Sequence, residues 1–243
     1  SLIYFKYLFP NARITAFEPD PYIFKALKHN IESFGLKDVT IHESACFGVS
    51  KTLGFSQDHA DGGRVNLKSV DKKVVKVNAV KLSEHLQDTV DFLKIDAEGS
   101  ELSILEECKG KLKNVRNLFI EYHSYTDCKQ SLSKILAIVE KSGFRYHLEN
   151  SGEKKISPFS RENGSDKEID LQVNIFCTRQ WFLKITLNNN SFIKVAILNT
   201  YPTGGASVAK NRLVKSLSGH SECKIDVLER FKIEGSEVLD TIQ

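Results

Sequence analysis

The stretch FLKIDAEGSE, residues 92–101, decides the fold prediction for this chain. Its first four residues are typical of a buried strand, and Asp96 stands where that strand ends. Glu98 and Glu101 follow in the loop and in the first turn of a helix predicted from about Ser100. Three carboxylates so close together repel one another unless a cation, a hydrogen-bond donor or a helix N-terminus compensates. The end of this strand is therefore a candidate functional site.

Strands and helices alternate on both sides of this stretch. A short apolar run at residues 14–17 precedes a helix, since Asp20 and Pro21 are typical of a helix start and Gly35 of its end. Further strands are predicted at residues 39–43, 51–56, 74–78, 91–95, 118–122, 144–148 and 171–177, and a further helix at residues 132–143. Such alternation predicts an α/β fold with a Rossmann-like parallel sheet. The last two strands have no helix between them, so they form an antiparallel hairpin at one edge.

Ligands of such sheets bind beyond the carboxyl ends of the parallel strands. Glu18 ends the first visible strand, and a carboxylate there can accept hydrogen bonds from both hydroxyls of a ribose; the alternative is an ordinary solvated acid. Glu121 and His123 end a neighbouring strand two residues apart, so they share a face and can reach the same cleft as Asp96. The candidate catalytic residues are Asp96, Glu98, Glu121 and His123.

The catalytic candidates also have simpler interpretations. A histidine beside a carboxylate can serve as a general base, although a lone histidine at a strand end is often only a satisfied polar residue. The carboxylates and His123 can hold a divalent cation, but no ligand spacing demands one, so no metal is predicted. Glu101 is explained by the helix dipole, which favours acids in the first turn.

Composition limits the classes of protein that fit. The chain carries 34 Lys and Arg against 31 Asp and Glu, a net charge of +3, which argues against a dedicated nucleic-acid binder. No stretch approaches the roughly 18 apolar residues of a membrane span. The five cysteines are scattered and form no CxxC pair, which favours reduced thiols and a cytoplasmic location.

The pattern restarts near the end of the chain. Residues 181–192 are predicted as a linker, and a strand (IKVAILNT, residues 193–200), a glycine-containing turn and a helix follow it, as at the start of a second nucleotide-binding fold. Residues 193–243 are too few to form such a domain alone. Because the chain has no Met and begins within an apolar helix, we expect truncated domains at residues 1–180 and 193–243.

Three segments together carry a family resemblance: AFEPDPYIFKALKHNI at residues 16–31, LKIDAEGSELSIL at 93–105 and FIEYH at 119–123. In this order they resemble the FkbM-type methyltransferases, which use S-adenosylmethionine (SAM), and the resemblance covers roughly residues 1–178. It implies the seven-stranded SAM methyltransferase fold and methyl transfer to a hydroxyl group, often on a sugar or a polyketide-like product.

The resemblance also implies roles for individual residues. By position, Glu18 holds the SAM ribose, Asp96 lies near the methionine end, and three residues lie beside the adenine: Ser44, Ala45 and Cys46. The acceptor oxygen is expected to lose its proton to His123 or Asp96, assisted by Glu98 or Glu121. The chain departs from the family pattern because it lacks the glycine-rich first motif and the central strand that carries it.

The segment IKVAILNTYPTGGASVAKNRLVKSL, residues 193–217, resembles the amino-terminal opening of GT-B glycosyltransferases. This second resemblance implies a nucleotide-sugar partner for the segment and a bifunctional protein of glycan assembly that acts on a small-molecule or glycan acceptor. Two alternatives stay open for the first domain. One is a nicotinamide-dependent oxidoreductase, which would also use Glu18, and the other is a non-catalytic nucleotide-binding fragment that retains the fold.

Overall fold

The computed structural model describes residues 2–56, 64–65, 74–151, 169–179 and 194–198. The helices are α1 (Leu2–Leu8), α2 (Pro21–Ser33), α3 (Glu101–Cys108) and α4 (Leu132–Lys141), with short 3-10 helices at Leu82–His85 and Lys109–Asn114. The strands are β1 (Arg13–Phe17), β2 (Val39–His42), β3 (Ala45–Cys46), β4 (Lys51–Ser56), β5 (Arg64–Val65), β6 (Val74–Val80), β7 (Val90–Asp96), β8 (Val115–Tyr125), β9 (Phe144–Asn150), β10 (Ile169–Arg179) and β11 (Lys194–Leu198). The fold class is α/β, as predicted.

Seven strands form the main sheet in the order β2-β1-β11-β7-β8-β10-β9. The first five are parallel, and β10 pairs antiparallel with both β8 and β9. The predicted edge hairpin is therefore confirmed. A second sheet, in the order β3-β6-β4-β5, contains the strands predicted at residues 51–56 and 74–78, which pair antiparallel as β4 and β6.

The start of α2 follows directly from its sequence. Asp20 Oδ1 accepts hydrogen bonds from the N–H groups of Tyr22 at 2.8 Å and Ile23 at 3.3 Å, and Pro21 occupies the first turn. These bonds satisfy two N–H groups that the helix leaves without internal partners. The cap also fixes the chain direction just after β1, and so it positions Glu18.

One face of the sheet is apolar and packs against helices. Ile95 of β7 and Ile120 of β8 are fully buried against Ile104 of α3 and Ile135 of α4. Because side chains alternate along a strand, Lys94, Asp96, Glu121 and His123 lie on the opposite face.

The opposite face carries polar side chains in register. Asp96 of β7 pairs with Glu121 of β8, which pairs with Asn174 of β10. Two residues further along β8, His123 pairs with Gln172 of β10. The parallel pairing of β7 with β8 therefore brings the predicted catalytic residues to a single edge of the sheet.

Strand β11 differs most from the sequence expectation. It lies between β1 and β7, parallel to both, with Ala196 paired to Thr15 and to Leu93. The sequence predicts this strand as the start of a second unit and leaves the centre of the first sheet without a strand. The structure differs because β1 and β7 each present open backbone hydrogen-bonding groups, which a parallel apolar strand between them satisfies. The predicted linker and residues 199–243 lie outside the described residues, and the domain boundaries stay a prediction.

A chain that ends at residue 209 is expected to melt cooperatively, whereas one that ends at residue 192 is not. Only the shorter chain lacks β11, so only there do β1 and β7 lose their shared backbone partner. Thermal unfolding followed by circular dichroism compares the two chains. Equal melting temperatures would show that the sheet does not need β11 and would favour a second unit that starts at residue 193.

Candidate active site

Glu18 lies at the carboxyl end of β1 in a fixed orientation. Its Oε1 accepts a hydrogen bond from the Asp20 N–H at 2.8 Å, and its own N–H donates to the His42 carbonyl at 3.0 Å. The residue is only 2% exposed. A carboxylate held in this way suits the hydroxyl groups of a nucleoside ribose, which lie at this edge in related sheets.

The residues predicted beside the adenine lie just after β2 and are all buried. The Ser44 hydroxyl has no hydrogen-bond partner within the described part of the chain, so it is a polar group that a ligand can satisfy. Ala45 and Cys46 form β3 and pair with Ala79 and Val80. Burial, with smaller contributions from Cys108 and Glu107, raises the pKa of the Cys46 thiol, which packs in the main apolar core. The thiol is therefore a core group and not a ligand contact.

A cluster of three rings lies at the same edge and was not found by the sequence analysis. Phe17 stacks on His42 with ring centroids 4.8 Å apart and contacts His85 edge-on, also at 4.8 Å. Burial, with the nearby His42, lowers the pKa of His85, which favours the uncharged form of that ring. No local sequence signal marks the cluster, because β2 and the 3-10 helix at Leu82–His85 meet only through the fold.

Asp96 forms a nearly buried ion pair within its own strand. The Lys94 Nζ lies 2.5 Å from Asp96 Oδ2, and the two side chains are 10% and 13% exposed. The residues are two apart on β7, so they share a face of the sheet. Because one oxygen of Asp96 is bound by the Lys94 ammonium group, Asp96 acts in the site together with Lys94 and not as a free carboxylate.

The loop after β7 holds Glu98 in an unusual backbone conformation. Glu98 has φ +46° and Gly99 has φ +91°, both in the left-handed region. A Cβ at Gly99 would lie 3.1 Å from the Tyr125 ring, so a side chain there would be strained by the backbone conformation and crowded by the ring. The Tyr125 hydroxyl donates a hydrogen bond to Glu98 Oε2 at 2.7 Å. The loop therefore fixes the Glu98 carboxyl group at the sheet edge.

His123 lies at the centre of the cluster. Its Nδ1 is 3.1 Å from Glu101 Oε1, and its Nε2 is 3.6 Å from Glu98 Oε1. Glu101 Oε1 also accepts hydrogen bonds from the N–H groups of Gly99 at 3.0 Å and Ala97 at 3.3 Å. The helix-dipole explanation of Glu101 was therefore incomplete, because this carboxylate anchors both the loop and His123.

The charges in this cluster change two pKa values in ways that matter for chemistry. Burial alone lowers the pKa of His123, but the hydrogen bond to Glu101 and the charges of Glu98, Glu101 and Asp96 outweigh it and raise the pKa to about 10. Burial raises the pKa of Glu98 to about 7, although the charge of His123 acts in the opposite direction. At neutral pH His123 is therefore a cation that cannot accept a proton, whereas Glu98 can accept one. This argues against His123 as the base.

Gln172 is a site residue that the sequence analysis missed. Its Nε2 donates a hydrogen bond to Glu121 Oε1 at 2.7 Å and lies 3.1 Å from His123 Nε2. Burial and the charge of Asp96 raise the pKa of Glu121. Gln172 stands 49 positions after His123 in the sequence, and only the β8–β10 pairing brings the two together.

A metal ion is geometrically conceivable here, but the charges disfavour it. Ligand atoms of Asp96, Glu98 and His123 lie within 4.8 Å of one another. Lys94 already neutralises Asp96, and His123 must lose a tightly held proton before it can bind a metal. We therefore assign no metal to the cluster, and the expectation that none is required stays a prediction.

The described residues form a Rossmann-like α/β sheet with a cluster of titratable side chains at the carboxyl edge of its strands. The chain belongs to the methyltransferase FkbM domain family, which it matches over residues 2–146. It is 25% identical over 173 residues to Methyltransferase 1 of Beauveria bassiana (strain ARSEF 2860), a match that covers 60% of this chain and 68% of that protein. The chain is therefore a methyltransferase, and the oxidoreductase alternative is set aside.

Two solved structures are similar at low sequence identity. The FkbM methyltransferase from Methylobacillus flagellatus KT is 14% identical with a TM-score of 0.41, and the match covers 68% of this chain but only 36% of that one. The precorrin-6y C5,15-methyltransferase from Geobacter metallireducens GS-15 is 17% identical with a TM-score of 0.40, and the match covers 74% and 73% of the two chains.

The family implies SAM as the methyl donor, and the residues at the sheet edge fit it. The fixed carboxylate of Glu18 suits the ribose, and the buried Ser44 hydroxyl is a polar group that a ligand can satisfy. Among the described residues, no helix has the length and apolar character needed to cross a membrane.

The free energy of unfolding is expected to fall as the pH rises from about 4.5 to about 10. Glu98 and His123 both hold their protons more tightly in the folded chain than their ordinary values of 4.5 and 6.5 would allow. Their contribution to stability is therefore complete below those ordinary values. It is lost as the pH passes through about 7 for Glu98 and about 10 for His123.

Urea unfolding at about pH 6, 7.5 and 9 measures this dependence. The double variant Glu98→Gln/His123→Gln should show a flatter profile, whereas Glu106→Gln, an exposed change on α3, should keep the wild-type profile. An equally steep profile in the double variant would contradict the assignment of these two pKa values.

Proposed function

We propose that this chain methylates a hydroxyl group on a sugar, a glycan or a related small-molecule acceptor, with Glu98 as the general base. SAM supplies an electrophilic methyl group, and the protein must position the acceptor oxygen and remove its proton. The observation that carries the proposal is the fixed Glu98 carboxyl group with a pKa of about 7. A base is most effective when its pKa lies near the working pH.

The neighbours of Glu98 support this role. Tyr125 donates to Oε2 at 2.7 Å and orients the carboxyl group, while Oε1 lies on the side of His123. The charge of His123 stabilises the carboxylate form and keeps burial from raising the pKa of Glu98 further. As the acceptor oxygen would bond to the methyl carbon, the bond from that carbon to the SAM sulfur would break and the acceptor proton would pass to the Glu98 carboxylate. The neutral acid can still accept the Tyr125 hydrogen bond.

The presence of a base favours oxygen as the methylated atom. A hydroxyl group becomes a strong enough nucleophile only as it loses its proton, whereas a neutral amine can attack through its lone pair without a base. A carboxyl group poised near neutral pH therefore has a clear purpose in O-methylation.

Three residues are assigned to the cofactor. Glu18 would hold the ribose hydroxyls and Ser44 the adenine side, while Asp96 would lie at the methionine end, as the family pattern implies. The ion pair with Lys94 fixes the orientation of the Asp96 carboxylate, so it suits a positioning role better than proton removal.

The tail supports a wider role in glycan assembly. The segment at residues 193–217 keeps its resemblance to the opening of a glycosyltransferase, which would add a nucleotide-sugar partner and make the protein bifunctional. This part of the proposal competes with the position of β11, because a strand held in the methyltransferase sheet cannot also open a second sheet. The comparison of chains that end at residues 192 and 209 decides between them.

A cytoplasmic location belongs to the same proposal. No disulfide joins the described cysteines, and Cys46, Cys108 and Cys177 are buried. Buried thiols without disulfide partners are typical of a reducing compartment.

Glu98→Gln is expected to lower kcat by about 10²-fold or more, because the amide cannot accept the acceptor's proton. SAM binding, measured by calorimetry, should change little, because Glu98 is not assigned to the cofactor. The assay follows SAM-dependent methylation of a panel of methyl glycosides. Glu106→Gln on α3 is the matched exposed control and should retain full activity. Wild-type turnover in Glu98→Gln would remove this residue from the mechanism.

Asp96→Asn is expected to reduce turnover by about tenfold or more, since it removes the charge that pairs with Lys94 and orients the bound reactants. The fold should survive, because the change is nearly isosteric at a strand end. Unlike Glu98→Gln, this variant should also weaken SAM binding. Full activity together with unchanged SAM affinity would show that Asp96 does not face the reacting groups.

A further inference from the structure

The side-chain amide of Gln172 bridges two titratable groups of the site. Its Nε2 donates to Glu121 Oε1 at 2.7 Å and lies 3.1 Å from His123 Nε2. We propose that Gln172 is a positioning residue whose amide couples the protonation of Glu121 to the protonation of His123 (the proton tie). The catalytic consequence rests on the proposed role of Glu98, but the tie itself involves no substrate.

The amide orientation with Nε2 toward both groups suits the state in which Glu121 and His123 Nε2 are both deprotonated, a state that His123 reaches above about pH 10. An amide nitrogen carries two hydrogens, so it can donate one to the Glu121 carboxylate and the other to an unprotonated His123 Nε2. The histidine proton then lies on Nδ1, which donates to Glu101 at 3.1 Å. In this arrangement each donor meets an acceptor.

A proton on His123 Nε2 reverses the requirement. The ring now has a donor on that side, and the Gln172 amide nitrogen would face it donor to donor. Rotating the amide by half a turn places its oxygen toward His123, but the same oxygen then faces Glu121. That contact is favourable when Glu121 is protonated and donates a hydrogen bond. Protonation of His123 and protonation of Glu121 therefore favour each other through Gln172.

Direct attraction between the charges acts in the opposite direction, because a positive His123 favours a negative Glu121. Each group, however, has nearer partners of opposite charge. The negative partners of His123 are Glu101 on α3, Glu98 in the preceding loop and Asp96 on β7. The positive partner of Glu121 is Lys94 on β7. The part-buried amide of Gln172 lies within hydrogen-bonding distance of both groups, so we expect its hydrogen-bond requirement to decide the sign of the linkage.

The opposing signs make the proposal testable by a double-mutant cycle on the chain without substrate. Glu121→Gln supplies a neutral group that can donate to the Gln172 oxygen, as a protonated Glu121 would. We expect it to raise the pH midpoint at which His123 loses its proton. In the Gln172→Leu background the tie is gone, and the same change should lower the midpoint because only the lost negative charge remains.

The measurement is an NMR titration of the imidazole nitrogens from about pH 6 to about pH 11. His123 is identified among the seven histidines by the signal that disappears in His123→Gln. Gln172→Met repeats the cycle with an unbranched apolar side chain and serves if the leucine variant does not fold. A lower midpoint for Glu121→Gln in the presence of Gln172 would overturn the proposal.

Asn174 offers a matched control on the same strand and face. It is fully buried, and neither polar atom of its side chain has a hydrogen-bond partner within the described residues. Asn174→Leu removes a buried amide without touching the bridge, so the response of His123 to Glu121→Gln should stay as in the wild type. An Asn174→Leu effect as large as that of Gln172→Leu would show a general packing change in β10 and would count against the tie.

The pH profile of methyl transfer gives a second readout. His123 keeps its proton up to about pH 10, so a change in its midpoint should alter the profile only near that pH and leave the acid limb, set by Glu98 near pH 7, in place. If the NMR cycle has the expected signs but Glu98→Gln retains activity, the proton tie stands and the proposed base is wrong.

Discussion

The site depends on the balance of charge around His123. Among the described residues, four carboxylates face two cations, Lys94 and His123, in a region that water hardly reaches: Asp96, Glu98, Glu101 and Glu121. Such an excess of buried negative charge is unfavourable unless protons are retained. The structure accommodates it in two ways: His123 keeps its proton to about pH 10, and burial raises the pKa values of Glu98 and Glu121. The proposed role of Glu98 as a base therefore depends on the raised pKa that burial and this excess of negative charge produce.

The main sheet makes this concentration of charge possible. The register of β7 with β8 sets Asp96 beside Glu121, and β10 then sets Gln172 opposite His123. The face that carries these polar groups is opposite the one that packs against α3 and α4. A shift of one residue in the β7–β8 pairing would turn Glu121 and His123 toward the apolar core, and the same shift of β10 would turn Gln172 away from His123. The apolar core therefore fixes the register on which the site relies.

The sequence was sufficient for those parts of the site that lie at strand ends. Asp96 and His123 follow apolar runs that are unambiguous as strands, and Glu18 precedes a helix with a clear start, so their common edge could be predicted. Gln172 could not, because it lies within a strand and its importance comes from pairing with a residue 49 positions away. Glu101 was misjudged for a different reason: the dipole explanation was sufficient on sequence grounds, and only the fold shows its three hydrogen-bonding contacts.

Strand β11 marks the limit of reasoning from local pattern. Its apolar run was correctly predicted as a strand, but the pattern of a strand does not say which sheet it joins. That choice is set by the edges available, and β1 and β7 provide two that face each other.

The backbone at Glu98 is the strongest structural reason to treat this residue as functional. A non-glycine residue at φ +46° costs free energy on the order of 1–3 kcal/mol, and the following Gly99 is also in a left-handed conformation. Stability alone would favour glycine or asparagine at position 98, since both adopt this conformation more easily. Instead the position carries a nearly buried acid whose ionisation burial opposes. Both features are unfavourable for folding, and both become useful if the carboxyl group must take a proton from a bound hydroxyl near neutral pH.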